Sequence, residues 1–171
     1  YVSNLDETGE IVGADDRRRH FHEANLLWHT DVSFDDNRAV YSILSARILP
    51  PAGGDTDFAD MRGAYEALTS ARKAELDAPE VEHSIWYSRA LGGFTELSEA
   101  EMATRPPARH GLVSANPRTG AKALYLASHA SHIIGWPEDE SRATLDELMD
   151  HATEERFCYS HIWQPGDVVM W

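Results

Sequence analysis

The sequence predicts a mostly-β fold, a β-sandwich or jelly roll with helical insertions. Three observations carry that expectation. Strand-like runs rich in apolar and β-branched residues cluster toward both ends, at 25–34, 39–49 and 157–171. Helical spacings fall between them, at 60–76 and 138–152. Turn clusters such as Pro50-Pro51-Ala52-Gly53-Gly54 and Asn116-Pro117-Arg118-Thr119-Gly120 punctuate the chain, with no internal repeat.

Taken in order, residues 1–24 are polar and carry Asp15-Asp16-Arg17-Arg18-Arg19, which reads as a solvated loop. His20 and His22 lack a surrounding alternating pattern and are not read as ligands. Residues 25–34 read as a strand. Leu26, Trp28, Val32 and Phe34 share one face with Thr30, and Asn25, Leu27, His29, Asp31 and Ser33 share the other. Residues 39–49 read as a second, largely buried strand, with Val40, Tyr41, Ile43, Leu44 and Ile48.

Asp60 is the expected N-cap of a helix carrying Met61, Tyr65 and Leu68, and a second helix runs from Ser70 to Leu76. Residues 81–97 are mixed, and Gly92-Gly93 marks a flexible loop. Ser98 and Glu101 form a capping box ahead of Pro106-Pro107. Strands are expected at 111–115 and 122–127, around the Asn116–Gly120 turn, with 128–132 entering a loop. Pro137 opens a helix whose apolar stripe is Leu145, Leu148, Met149 and Ala152. Phe157, Tyr159, His161 and Trp163 alternate along a strand and read as a packed face; 164–167 turn into a final strand from Val168.

The 171 residues suffice for one domain, 1–171. The formal net charge of −14 disfavours nucleic-acid and anionic-membrane partners, which are held by clustered Lys and Arg. A local pocket can still oppose the global sign and take a small anion. One cysteine, Cys158, excludes an intrachain disulfide and fits a reducing, cytoplasmic setting. No apolar run approaches the roughly 20 residues of a membrane helix. The chain starts at Tyr1 and stops at Trp171 within an apolar run, so it reads as a fragment of a longer protein.

His29-Thr30-Asp31 is the candidate chemistry. An imidazole and a carboxylate two residues apart on a strand face can occupy adjacent positions on one metal, two thirds of a 2-His-1-carboxylate triad. Alone, His-x-Asp is a weak motif, and a surface Asp beside a half-buried His is the plainer reading. Ordered landmarks accompany it: 27–34, Pro50–Phe58, Met61–Leu68 and Trp163–Trp171. Together these runs resemble the Fe(II)/2-oxoglutarate-dependent TauD/TfdA dioxygenase family, with Ser128–His132 and His151-Ala152-Thr153 most like its phenoxyacetate branch.

The resemblance implies a double-stranded β-helix (jelly roll), incomplete at both ends. It implies that His29 and Asp31 are iron ligands, with no catalytic residue beyond the ligands, and that Thr56 hydrogen-bonds a carboxylate of 2-oxoglutarate. Asn25, the backbone of Val32, His132 and Asn116 map to substrate-contacting positions, Asn116 standing where many members carry histidine. The implied reaction uses Fe(II), 2-oxoglutarate and O2 to hydroxylate a small anionic substrate. For a phenoxyacetate this releases a phenol and glyoxylate, with succinate and CO2. A distal His ligand and a 2-oxoglutarate-binding Arg follow Trp171 in the family, so this fragment alone is expected to be inactive. The resemblance also implies a possible homo-oligomer. The alternatives are a taurine- or sulfonate-type dioxygenase and a catalytically inactive jelly-roll binding protein.

Overall fold

Capping chemistry sets the helices. In the computed structural model, which describes residues 24–171, Asp60 accepts the N–H groups of Arg62 and Gly63 and starts α1 (Met61–Ala67). Thr69 does the same for α2 (Ser70–Leu76), and Ser98 with Glu101 closes both halves of a capping box on a short helix, Glu99–Ala103. These helices lie as expected. One was missed. Ser84 caps α3 (Ile85–Leu91), inside the stretch that reads as mixed. That helix makes the short helix at 99–103 α4, and the long one α5 (Glu138–Ala152).

The strands are β1 (Ile43–Ser45), β2 (Thr56–Ala59), β3 (Glu80–His83), β4 (Ala108–Gly111), β5 (Val113–Ala115), β6 (Lys122–Leu124), β7 (Ala130–Ile133), β8 (Cys158–His161) and β9 (Val168–Met170). They pair antiparallel as β1-β9, β2-β8, β4-β3-β7 and β5-β6. Helix and small open sheets are thus mixed among the described residues, a coarser picture than the jelly roll, incomplete at both ends, of the sequence reading. The core is built where these meet. Leu145, Leu148 and Ala152 of α5 are buried with Val81 and Ile133 of the three-stranded sheet and with Ala64 and Tyr65 of α1.

Three sequence expectations are overturned. Residues 25–34 are not a strand: a 3-10 turn, Ala24–Leu26, leads into an irregular extended segment and then tight turns, with Ser33 N–H donating to Thr30 O and Asp35 N–H to Val32 O. The alternation fails there, so Leu26 is exposed while Ser33 is fully buried. The expected strand 39–49 shrinks to three residues, and Val40, Tyr41, Ile43 and Ile48 lie exposed, because β1 meets only β9. Residues 130–133, expected as loop, are the strand β7, whose Glu82↔His132 and Val81↔Ile133 pairings place them on the edge of the three-stranded sheet. Arg17–Arg19, His20 and His22 lie outside the described residues.

Candidate functional site

The loop 27–35 is held along the 126–128 segment. Thr30 Oγ1 donates to Leu126 O at 2.6 Å, and Ser128 N–H donates to Trp28 O at 2.8 Å. Those two tethers, at Trp28 and Thr30, flank His29, and the turn that follows brings Asp31 to the same side. His29 Nε2 lies 3.4 Å from Asp31 Oδ1, with both side chains about one third exposed. At Val32 the chain enters the left-handed region, φ 59°. A β-branched residue is strained there, and the reversal sends Ser33 inward to the protein interior.

His29 Nδ1 lies 2.8 Å from Leu27 O. A carbonyl only accepts, so Nδ1 carries the proton and Nε2 presents its lone pair toward Asp31. A backbone carbonyl on the far nitrogen is the usual outer support of a metal-bound imidazole. The donor set therefore fits two adjacent positions on a divalent metal. A protonated His29 donates from Nε2 to the Asp31 carboxylate, and that hydrogen bond raises the His29 pKa above its ordinary value and holds the Asp31 carboxyl below the usual range, helped by the Ser42 hydroxyl. Among the described residues no third His, Cys, Asp or Glu completes a metal cluster with them.

The histidine facing this pair is His129, in the 128–132 run that the sequence reading placed entering a loop. Its ring lies 6.3 Å from that of His29 and packs edge-on to Phe34 at 5.0 Å. It is buried, its Nδ1 is 2.7 Å from Ser88 Oγ, and burial lowers its pKa to about 4, so it is neutral. The signal that could have found it is the helix α3: Ser88 sits in the stretch that showed no clear periodicity. His132 goes elsewhere. Strand alternation turns it toward Glu82, 3.8 Å from Oε1, and toward its neighbour Ser131. Asn116 holds its own hairpin turn, accepting N–H groups of Arg118 and Thr119.

Asn25 is exposed on the 3-10 turn, and Arg89 of α3 donates to its Oδ1 at 3.0 Å. Thr56 opens β2 opposite His161, and its hydroxyl accepts Trp163 Nε1–H at 2.9 Å, which leaves its own O–H to donate. β9 connects the two regions: Ser42 and Trp171 exchange backbone hydrogen bonds, and the Trp171 ring packs on Phe58 of β2 at 5.2 Å. Leu27 and Trp28 line an apolar cleft of about 320 Å³ with Leu126, Leu145 and Met149.

This arrangement has known relatives. A 2,4-dichlorophenoxyacetate dioxygenase dependent on alpha-ketoglutarate, from Burkholderia sp. (strain RASC), is 45% identical over 170 residues, 99% of this chain and 57% of the relative. The enzyme of the same name from Cupriavidus pinatubonensis is 44% identical, with 99% and 59% covered. The crystal structure of AAD-2 in complex with Mn(II) and N-oxalylglycine superposes with a TM-score of 0.94 at 43% identity, covering 98% of this chain and 61% of that one. The chain thus spans under two thirds of the length of these relatives. The model of the family described as Taurine catabolism dioxygenase TauD, TfdA matches residues 3–171, and the chain belongs to that family.

Proposed function

We propose that the whole protein carrying this chain is an Fe(II)/2-oxoglutarate-dependent dioxygenase that cleaves phenoxyacetates, converting the ether, 2-oxoglutarate and O2 to a phenol, glyoxylate, succinate and CO2. The observation that carries it is the convergence of His29 Nε2 and Asp31 Oδ1 in a chain 45% identical to a 2,4-dichlorophenoxyacetate dioxygenase. When bound, the iron supplies oxidising power that no side chain has.

The chain's own residues do the holding. His29 and Asp31 provide two metal ligands, with His29 kept in the right tautomer by Leu27 O. Thr56 offers its O–H to a carboxylate of 2-oxoglutarate, its oxygen fixed by the Trp163 indole. Neutral, buried His129 is better placed than His132 to meet the substrate, because it faces the metal pair. The third ligand and the 2-oxoglutarate arginine are assigned to the remaining length of the whole protein.

The test is incubation of the purified whole protein with Fe(II), 2-oxoglutarate and a panel of phenoxyacetates. Phenol release matched by succinate is expected. Absence of both overturns the reading, and succinate formed only with alkylsulfonates moves it to the sulfonate type.

A further inference from the structure

His129 and Ser88 of α3 are both buried, and His129 Nδ1 meets Ser88 Oγ at 2.7 Å. A third group fixes the direction of that hydrogen bond. Ser88 Oγ also lies 2.9 Å from Ile85 O, one helical turn back. A carbonyl only accepts and a serine has one hydroxyl hydrogen, so that hydrogen goes to Ile85. Ser88 Oγ then turns a lone pair to His129, and Nδ1 carries the proton. The opposite assignment sets two lone pairs against each other in the interior, at the Ile85 carbonyl. The ring is neutral and so has one N–H, which leaves its Nε2 a bare acceptor.

The surroundings give that acceptor a meaning. The His29 ring lies 6.3 Å from His129, and His29 and Asp31 both bear on the charge of the His129 ring. His29 presents the lone pair of its Nε2, because its Nδ1 donates to Leu27 O. An ionised Asp31 only accepts. Among these three groups an anionic oxygen finds no donor, whereas a hydroxyl finds acceptors. Phenoxyacetate itself brings only acceptors, an ether oxygen and a carboxylate. Its first hydroxyl exists after the CH2 is hydroxylated, in the hemiacetal ArO–CH(OH)–COO−. As the C–O bond of that product breaks, the hydroxyl hydrogen ends on the phenol oxygen and the carbon becomes the aldehyde of glyoxylate.

We infer that Ser88 is a positioning residue that fixes His129 as its Nδ1–H tautomer, and that the Nε2 acceptor so presented takes the hydroxyl of the hydroxylated product rather than the anion of the incoming substrate. The tautomer stands on the contacts among Ile85, Ser88 and His129; the identity of the hydroxyl rests on the proposed function.

The test uses the whole protein loaded with Zn(II), a diamagnetic stand-in. Long-range nitrogen–proton spectra of isotope-labelled histidine read the tautomer directly, and His129→Gln identifies the signal by its loss. The wild type is expected to carry the proton on Nδ1. Ser88→Ala should move it toward Nε2, and Ser88→Thr, which keeps a hydroxyl, should hold it on Nδ1. A wild-type ring protonated on Nε2 overturns the inference without any variant, and so does a folded Ser88→Ala with an unchanged tautomer. Two stable probes then test the acceptor by calorimetry. Phenyllactate copies the hemiacetal with CH2 in place of the ether oxygen, and hydrocinnamate lacks only the hydroxyl. The better enantiomer of phenyllactate is expected to bind the wild type about two- to tenfold tighter than hydrocinnamate, the span of one net hydrogen bond, and Ser88→Ala should lose that preference. Equal wild-type affinities overturn the role of Nε2. Equal weakening of both probes in Ser88→Ala marks a merely structural serine and also overturns the inference. If the wild type releases no phenol from phenoxyacetates but the tautomer and the preference both hold, the proposed reaction falls and the roles of Ser88 and His129 stand.

Discussion

The Ser33 hydroxyl lies 3.0 Å from His83 Nδ1, and both side chains are fully buried. This one contact fastens the turn that carries Asp31 to β3, in the middle of the three-stranded sheet. Ser33→Ala removes it and leaves the His83 Nδ1 without its partner in the interior. The expected loss is about 1–3 kcal/mol of unfolding free energy, read from urea melts. Because Asp31 is two residues away on the same turn, Mn(II) affinity of the whole protein should fall as well. Unchanged melts would show that the contact carries no stability.

Acid should loosen the fold through two histidines. Burial lowers His83 to about 3 and His129 to about 4. Below the ordinary value near 6.5 the unfolded chain takes up protons that the folded chain refuses. Stability therefore falls as pH drops from about 6.5 toward 4, by at most about 1.4 kcal/mol per pH unit for each group. His29 works the other way. Its pKa is raised by Asp31, so its contribution is fully present below about 6.5 and is lost as pH rises through its folded value; it therefore leaves the slope below pH 6.5 to the two buried histidines. Denaturant midpoints at pH 7, 6 and 5 check this, and His83→Gln should flatten the dependence.

Metal binding by the whole protein should collapse when either donor of the pair is lost. His29→Ala and Asp31→Ala are each expected to weaken Mn(II) affinity by more than the about 10- to 100-fold typical of losing an outer-shell partner. Isothermal titration with Mn(II) reads this without turnover. Affinity held within threefold in both variants would remove His29 and Asp31 from the ligand set.

The hydroxyl of Thr56 is aimed by an indole. Trp163→Phe deletes the N–H that it accepts while keeping an aromatic body. The expected result is a several-fold rise in the KM for 2-oxoglutarate, on the scale of one modest hydrogen bond, about 0.5–1.5 kcal/mol, with the phenoxyacetate KM little changed. Thr56→Val should give a larger rise in the same constant.

How much of this was legible in the sequence depends on the range of the force that decides each element. The helices with their own caps, at Asp60, Thr69 and Ser98, could be placed because a cap is a local interaction. α3 was hidden because Ile85, Ser88 and Arg89 are buried on contacts from distant segments, so its inward face is not purely apolar. His29 and Asp31 could be paired even though the strand was absent, because their convergence depends only on the few residues around them. The parity argument failed past that point, at Val32, where a positive φ in a valine leaves no mark in the sequence. Choosing between His129 and His132 needed the edge strand β7, a pairing with β3 some fifty residues earlier.

The ribbon β1-β9 has three residues a side and shows an exposed face of Ile43, Val168 and Met170. A two-stranded ribbon of that length has little stability of its own. Its amides should exchange with solvent far sooner than those of β3 or of α5, which are set in the buried core. Asp31 touches both regimes, reaching Ser42 beside the ribbon while its neighbour Ser33 is clamped to the slow-exchanging sheet. A cation captured by His29 and Asp31 would therefore act as a brake on local opening. Protection would spread from a rigid interior out to the frayed edge, and the site would gain order at the moment it is filled.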